Sequence, residues 1–540
     1  MEPVLRPFAI LILCAGCGAD APERSRIKGS GGALLRSAGP VGCAFPEARE
    51  EARFDRWQAP VPRNSSVWLW AGGVVAADLT GDDRIDILSP TEPHLRTYEQ
   101  TPVGTFRELE ASPVRAPFAT GGSVADYDGD GDLDLYITRY AAENQLLRND
   151  GEGRFTEVTA EAGVGAGRYR SMSSAWSDLD RDGDLDLIVG NYGWFDETGA
   201  VETEAFGPGH PSYFYDNLGD GTFADRSDVF PDSVHDGFTY VAGVHDLDVD
   251  GWPDLYFVND FGVAYPNRLL WNEGGTFVAD EGAAGLDLAM TGMGLGVGDL
   301  NGDGWLDLLV PEWNRIRYLL SSQTLGMWVD YAKDRGVVND REGGQVVGWG
   351  ASFADLDNDG DLDAPVAYGR VRYTNERWEN PEVQPDALFV QREDGSFIDE
   401  AAAWGLDDGG VGRGFVVVDL NDDGWLDLVK RDLTGPDVFY LARCAEASWL
   451  KVHLRGEGMN TFAVGARVVL EAEGRVWTRT VTAGGTNYGS SGPPVLHFGL
   501  GDRSRVERMV IHWPNGGEDV FEGVEARQTL TVRQRGASHW

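Results

Sequence analysis

The stretch Asp355-Leu-Asp-Asn-Asp-Gly-Asp-Leu-Asp363 has the residue types and spacing for one kind of chemistry, the ligation of a hard cation. Carboxylates stand at positions 1, 3, 5 and 9 of a nine-residue window, and Gly360 at position 6 permits the positive φ of a tight turn. Asp355, Asp357 and Asp359 then converge. The carbonyl of Asp361 and the carboxylate of Asp363 complete an oxygen shell of the kind that favours Ca²⁺ over Zn²⁺ or the stricter octahedron of Mg²⁺.

Six further windows repeat the pattern. Their candidate ligands are Asp78, Thr80, Asp82 and Asp86; Asp126, Asp128, Asp130 and Asp134; Asp178, Asp180, Asp182 and Asp186; Asp246, Asp248, Asp250 and Asp254; Asp299, Asn301, Asp303 and Asp307; Asp419, Asn421, Asp423 and Asp427. The first window departs most, with Thr80 at position 3 and Asp83 in place of the turn glycine. Six or seven structural Ca²⁺ ions are therefore expected. Filled shells at tight turns leave no reactive group free, so these carboxylates read as ligands and not as catalysts. No nucleophile elbow, zinc-protease helix, phosphate loop or dinucleotide fingerprint accompanies them. The pair His235 and His245 reads as packing or surface.

The elements that must hold the windows are strands. Small and apolar residues precede each window, as in Gly121-Gly-Ser-Val-Ala125, and a short β-branched or aromatic run such as Leu255-Tyr-Phe-Val258 follows it. Downstream hairpin signals such as Asn149-Asp-Gly-Glu-Gly-Arg-Phe155, Asn217-Leu-Gly-Asp-Gly-Thr-Phe223 and Asn272-Glu-Gly-Gly-Thr-Phe277 add two more strands per repeat. Windows begin 48 to 68 residues apart, a blade-sized period. The fold class is all-β: a seven-bladed β-propeller followed by a small C-terminal β domain. The last repeat lacks an outer strand, and Ala52-Arg-Phe-Asp-Arg-Trp57 is placed to supply it.

The DxDxDGxxD window followed by N-x-G-x-F resembles the FG-GAP or VCBS repeat of integrin α-chain propellers and bacterial secreted proteins. Beyond Ser448, Asn460-Thr-Phe-Ala-Val-Gly-Ala-Arg-Val468, His497-Phe-Gly-Leu-Gly501 and Ile511-His-Trp-Pro-Asn-Gly516 resemble the ASPIC/UnbV domain that follows such repeats in the cartilage acidic protein family. The family's usual Tyr-Leu-Ser-Gln segment is represented only by Tyr488-Gly-Ser-Ser491. The resemblance implies architecture more than chemistry.

At the other end, Phe8-Ala-Ile-Leu-Ile-Leu13 is too short to span a bilayer and leads into Cys14-Ala-Gly-Cys17. Residues 1–16 read as a signal peptide of lipoprotein type with Cys17 lipidated, or as an ordinary secretory signal; either exports the chain. Residues 17–41 read as a flexible tether, 42–443 as the propeller and 448–535 as the C-terminal domain. Cys43 and Cys444 flank the propeller and are expected to pair. Such a disulfide would close a loop of about 400 residues, on the order of 5 kcal/mol in the chain-entropy model.

With 88 acidic against 45 basic residues, a net charge of −43 excludes nucleic acid as a partner and leaves the lipid as the one membrane contact. A monomer is expected. The function that fits is an exported calcium-binding propeller serving as a recognition or adhesion module for a protein or glycan. The alternatives are a polysaccharide-active lyase or hydrolase on the same scaffold, or an envelope scaffold without a diffusible ligand. A catalytic carboxylate pair facing a central cleft would mark the enzyme, and a closed centre the binding module. The insertion carrying Asn191-Tyr-Gly-Trp-Phe195 and Phe206-Gly-Pro-Gly-His-Pro211 is either a ligand groove or a packed loop.

Overall fold

The structure is a computed structural model. It describes residues 28–29, 34–38, 54–58 and 72–535, apart from 91–94, 101–105, 110–113, 194–208, 323–325, 339–345, 375–376, 383, 434, 436 and 444–445. Cys17, Cys43, Cys444, the signal segment and most of the insertion after Asn191 lie outside the described residues. Among the described residues no helix is long and apolar enough to cross a membrane.

Each Asp window turns the chain from one strand straight into its antiparallel partner. The residue before position 1 pairs with position 9, as in Ala125 with Asp134, Ser177 with Asp186, His245 with Asp254 and Val418 with Asp427. The second repeat shows the unit: strands Ala119–Ala125, Asp134–Arg139, Gln145–Asn149 and Phe155–Glu157 lie in that order in one sheet. Six such four-stranded sheets occur among the described residues, and a seventh, of Ser171–Ser177, Asp186–Asn191, Tyr213–Asn217 and Phe223–Asp225, gains Ala483–Gly484 as a fifth strand. The last, Gly412–Val418, Asp427–Asp432 and Val438–Ala442, takes its outer strand from Phe54–Gln58, where Phe54 pairs with Ala442 and Gln58 with Val438. The N-terminal segment thus completes the last sheet, as its Phe-x-x-Trp pattern suggested.

Apolar clusters fill the spaces between neighbouring sheets. One joins the seventh sheet to the first, through Val416, Val429 and Phe439 against Val74, Ile87 and Tyr98. Tyr98 and Phe439 meet edge to face at 5.3 Å. On the inner side, Gly414 N–H donates to the Gly72 carbonyl at 2.8 Å. First and last sheets are therefore neighbours, and the sheets form a closed ring of propeller type.

The C-terminal unit is two facing sheets. One holds Arg467–Ala472, Arg475–Thr480, Arg505–His512 and Glu518–Glu525; the other holds Ser448–Arg455, Val495–Gly501 and Gln528–Arg533. Alternation along these strands buries Leu450, Val452, Leu470, Met509, Ile511 and Leu530 between them. Part of the segment read as a tether is structured. Lys28–Gly29 pairs with Glu518–Glu525, and Leu34–Ala38 pairs along the full length of Thr529–Arg533. The free edge of a sheet is an unpaired row of N–H and C=O groups, and the incoming chain satisfies it.

Candidate metal centres and the domain that covers them

Position 1 of the window organises the loop before any ion is considered. Asp126 Oδ1 accepts the N–H groups of Gly129 (2.9 Å) and Asp130 (3.1 Å), and Oδ2 accepts that of Gly131 (2.9 Å). Asp299 repeats the pattern with Gly302, Asp303 and Gly304. These bonds wrap the chain around one carboxylate. The wrap needs a left-handed residue at position 4 as well as the glycine at position 6, and Arg181, Val249 and Asn358 adopt it with φ of 62°, 62° and 58°.

Four windows bring three acidic oxygens within 4.8 Å of one another: Asp126, Asp128 and Asp134; Asp178, Asp180 and Asp182; Asp246, Asp248 and Asp250; Asp355, Asp357 and Asp359. In each, one carboxylate oxygen is buried without a hydrogen-bond partner among the described residues: Oδ1 of Asp128, Asp178, Asp246 and Asp355. Burial, then the neighbouring carboxylates, push Asp178 and Asp246 up to about 6 and Asp355 well above the carboxylate range. Burial also raises Asp126 to about 6, against the hydroxyl and N–H donors it accepts. Clustered anionic oxygens with orphaned lone pairs fit a hard divalent cation and no neutral group.

Position 9 has a duty that its placement in the ligand set did not reveal. Asp186 accepts the Leu179 N–H on one oxygen (2.9 Å) and the Asn217 N–H on the other (2.9 Å), so it clamps the turn to the third strand. Asp134, Asp254, Asp307, Asp363 and Asp427 do the same. Asp86 accepts Gln100 N–H in the first repeat. Only Asp134 also falls within a converging triplet. Asp130 stands outside its own, exposed and accepting the Asp132 N–H.

The other three windows do not form such acidic triplets, since Thr80, Asn301 and Asn421 stand at position 3 in place of a carboxylate. In the first, the Arg84 guanidinium pairs with Asp82, and Thr80 donates to Asp86 (3.4 Å). In the fifth, Asn301 Nδ2 donates to Asp303 Oδ2 (3.1 Å). In the seventh, Asn421 Nδ2 donates to Asp423 Oδ2 (2.9 Å), and Lys451 Nζ lies 2.8 Å from Asp419 Oδ2. Donors from the chain take the place of acidic oxygens.

The turns all lie on one face of the ring, and the C-terminal unit covers that face. Thr461 donates to Asp126, Arg475 pairs with Asp361, Trp477 Nε1 donates to the Gly360 carbonyl (2.9 Å) and Gly501 N–H to the Asn358 carbonyl (2.7 Å). Between unit and ring lies a cavity of about 820 Å³ bordered by Lys451, His453, Arg455 and Arg479. A smaller one of about 370 Å³ reaches Asp178 and Asp246 beneath Trp513.

Residues 483–491 leave the C-terminal unit and enter the axis. Ala483 and Gly484 pair with Trp176 and Ala175, Ser491 bridges to Val75, Asn487 to Leu295, and Gly122 N–H donates to the Gly489 carbonyl. Asn487 accepts the Phe415 N–H (3.1 Å) and donates to the Ala351 carbonyl (3.3 Å). His245 bonds the Gly485 backbone, and burial lowers it to about 4, so it is neutral packing. A Cβ on Gly121 would stand 2.2 Å from the Gly489 carbonyl oxygen, which is why the inner strand is glycine there. This axial insert is the Tyr488-Gly-Ser-Ser491 segment where the sequence departs from its resemblance. Its short glycine-rich run was the one available signal.

On the opposite face, Phe118, Val263 and Trp313 are exposed, with Arg370 5.4 Å from the Trp313 ring. Beneath it Lys430 is buried between Asp386 and Asp408 (2.7 Å to the latter).

Residues 456–539 match the family model described as ASPIC and UnbV, and residues 78–137, 126–189 and 246–310 match the FG-GAP-like repeat. The chain therefore carries FG-GAP-like repeats and an ASPIC/UnbV segment. It is 28% identical over 425 residues to cartilage acidic protein 1 of Mus musculus, covering 74% of this chain and 62% of the relative. The Homo sapiens protein of the same name is also 28% identical, at 74% and 60%. The chain thus spans about three fifths of the curated relatives it matches. A solved Agrocybe aegerita structure, titled for recognition of non-reducing terminal N-acetylglucosamine, aligns over 68% of this chain and 87% of its own with TM-score 0.38 and 17% identity.

Proposed function

We propose that this chain is an exported recognition or adhesion propeller that binds a protein or glycan partner and is held rigid by Ca²⁺ in its second, third, fourth and sixth windows. It works without catalysis, and export ends in an envelope anchor through Cys17. The observation that carries this reading is the axial insert. Residues 483–491 fill the axis, where a ring scaffold would host a substrate cleft, and the C-terminal unit covers the aspartate face. The Asp carboxylates are thereby committed to the fold, which leaves the opposite face for a partner. There Trp313 is 41% exposed and offers a flat ring with Arg370 beside it, a pairing suited to stacking on a sugar or a peptide side chain. In this reading calcium orders the blades and takes no part in the contact.

A screen of glycans and envelope or matrix proteins against the wild-type chain and Trp313→Ala, both in Ca²⁺, tests the reading. A ligand held by the wild type and weakened at least tenfold by Trp313→Ala, with melting unchanged, supports it. A ligand bound equally by both variants contradicts this use of the face, and capture of none favours the scaffold. Turnover of a bound polysaccharide would establish the enzyme instead.

A further inference from the structure

The seventh window keeps the ligand spacing, with Asp419, Asn421, Asp423 and Asp427 at positions 1, 3, 5 and 9 and Gly424 at position 6, yet its surroundings differ from those of the four acidic triplets. Lys451, on strand Ser448–Arg455 of the C-terminal unit, reaches its ammonium to Asp419 Oδ2 at 2.8 Å and to Asp422 of the same turn. The lysine is 7% exposed. Asn421 directs its amide N–H, not only its carbonyl, into the turn, onto Asp423 Oδ2. The position-1 carboxylate has no orphaned oxygen, in contrast to Asp178, Asp246 and Asp355.

Access differs too. In the four triplet windows the position-5 carboxylates Asp130, Asp182, Asp250 and Asp359 are exposed to solvent, whereas Asp423 is buried. Trp449 packs over the turn so closely that a Cβ on Gly424 would overlap its ring at 1.7 Å, and His497 Nε2 lies 3.0 Å from the Gly424 carbonyl.

We infer that Lys451 serves the seventh window as its cation: its ammonium pairs with the position-1 carboxylate Asp419 and with Asp422 at position 4, in a turn whose position 3 is an amide, and so fastens the C-terminal unit to the ring without metal. A buried ammonium paired with two carboxylates of one turn offsets one of the two charges that a divalent ion would, and it makes the attachment independent of calcium supply. The inference rests on the calcium reading of the other windows and gives the seventh the opposite assignment.

Native mass spectrometry of the full chain in Ca²⁺ tests it. The wild type is expected to hold four ions, Lys451→Met five, and Lys451→Arg four. Asp419→Asn is expected to leave the count at four, whereas Asp178→Asn lowers it to three. Lys451→Met should also melt below the wild type in EGTA and recover more than the wild type does when Ca²⁺ is added. An ion lost in Asp419→Asn, or a count that Lys451→Met does not raise, overturns the inference; should Lys451→Met fail to fold, the Asp419→Asn count alone decides. A wild type that binds no Ca²⁺ sinks the calcium reading itself, a different result from a wild type that binds five with Asp419 among the ligands.

Discussion

The side-chain amide of Asn149 donates to the backbone carbonyl of Leu79, 3.0 Å away, and so ties the second sheet to the turn of the first. The same amide donates to Leu133 within its own turn. The bond recurs from sheet to sheet: Asn217 to Tyr127 (3.0 Å), Asn272 to Leu179 (2.9 Å), Gln391 to Leu300 (3.3 Å) and Gln100 to Leu420 across the closure. In every case the acceptor is position 2 of the preceding Asp window. The amide that reads in sequence as a hairpin signal is thus also the bolt between blades.

Asn149→Ala removes two donors and leaves two buried carbonyls unmatched. Each such loss costs about 1–3 kcal/mol, so a clear fall in the guanidinium midpoint at saturating Ca²⁺ is expected, and Asp150→Ala on the exposed turn beside it should leave the midpoint in place. Equal effects of the two would show that the inter-sheet bond carries no special weight.

Asn487 links three sheets from the axis: its backbone pairs with Leu295, and its side chain joins Phe415 and Ala351. Asn487→Ala is expected to destabilise the ring by about 1–3 kcal/mol through the unpaired Phe415 N–H and Ala351 carbonyl. Hydrogen exchange should quicken along the inner strands Gly348–Ala351 and Gly412–Val418 while the C-terminal sheets stay protected. Faster exchange confined to the C-terminal unit would show that the axial insert does not brace the ring.

Without metal, stability should fall as pH rises. Asp126, Asp178 and Asp246 are raised from the ordinary 3.8 to about 6, first by burial. Between about pH 4 and 6 the folded chain therefore holds more protons than the unfolded chain, and stability decreases with pH across that window. In EGTA the chain should melt higher at pH 5 than at pH 7.5, and added Ca²⁺ should raise the melting point more at pH 7.5, where the ligands are deprotonated. The reverse order in EGTA would show that the triplets do not limit the metal-free fold.

The ring was legible because its information is local and repeated. Position 9 opens a strand in six of the seven windows and stands directly before it in the sixth, the small residues before position 1 crowd the axis, and the Phe-led fourth strand follows an Asn or Asp with Gly. The outer strand Phe54–Gln58 could be assigned because the last repeat visibly lacked one. What stayed hidden depends on partners far along the chain. Ser490 Oγ accepts the Val74 N–H from 416 residues away, and nothing in a short polar run announces that contact. Lys451 sits in an alternating strand where a charged residue reads as solvent-facing, and only the fold turns it onto Asp419. Likewise Leu34–Ala38 sits in a stretch rich in Gly, Ser and charge and gains its place from the open edge of Gln528–Arg533.

Thermal melting of the chain in excess Ca²⁺ and in excess EGTA, at pH 7.5 and equal ionic strength, tests calcium as the fastening of the blades most directly. An ion at one hundred times its dissociation constant adds about 2.7 kcal/mol per site, so four sites should separate the two melting points by many degrees, with Asp178→Asn narrowing the gap. Superimposable curves would contradict it.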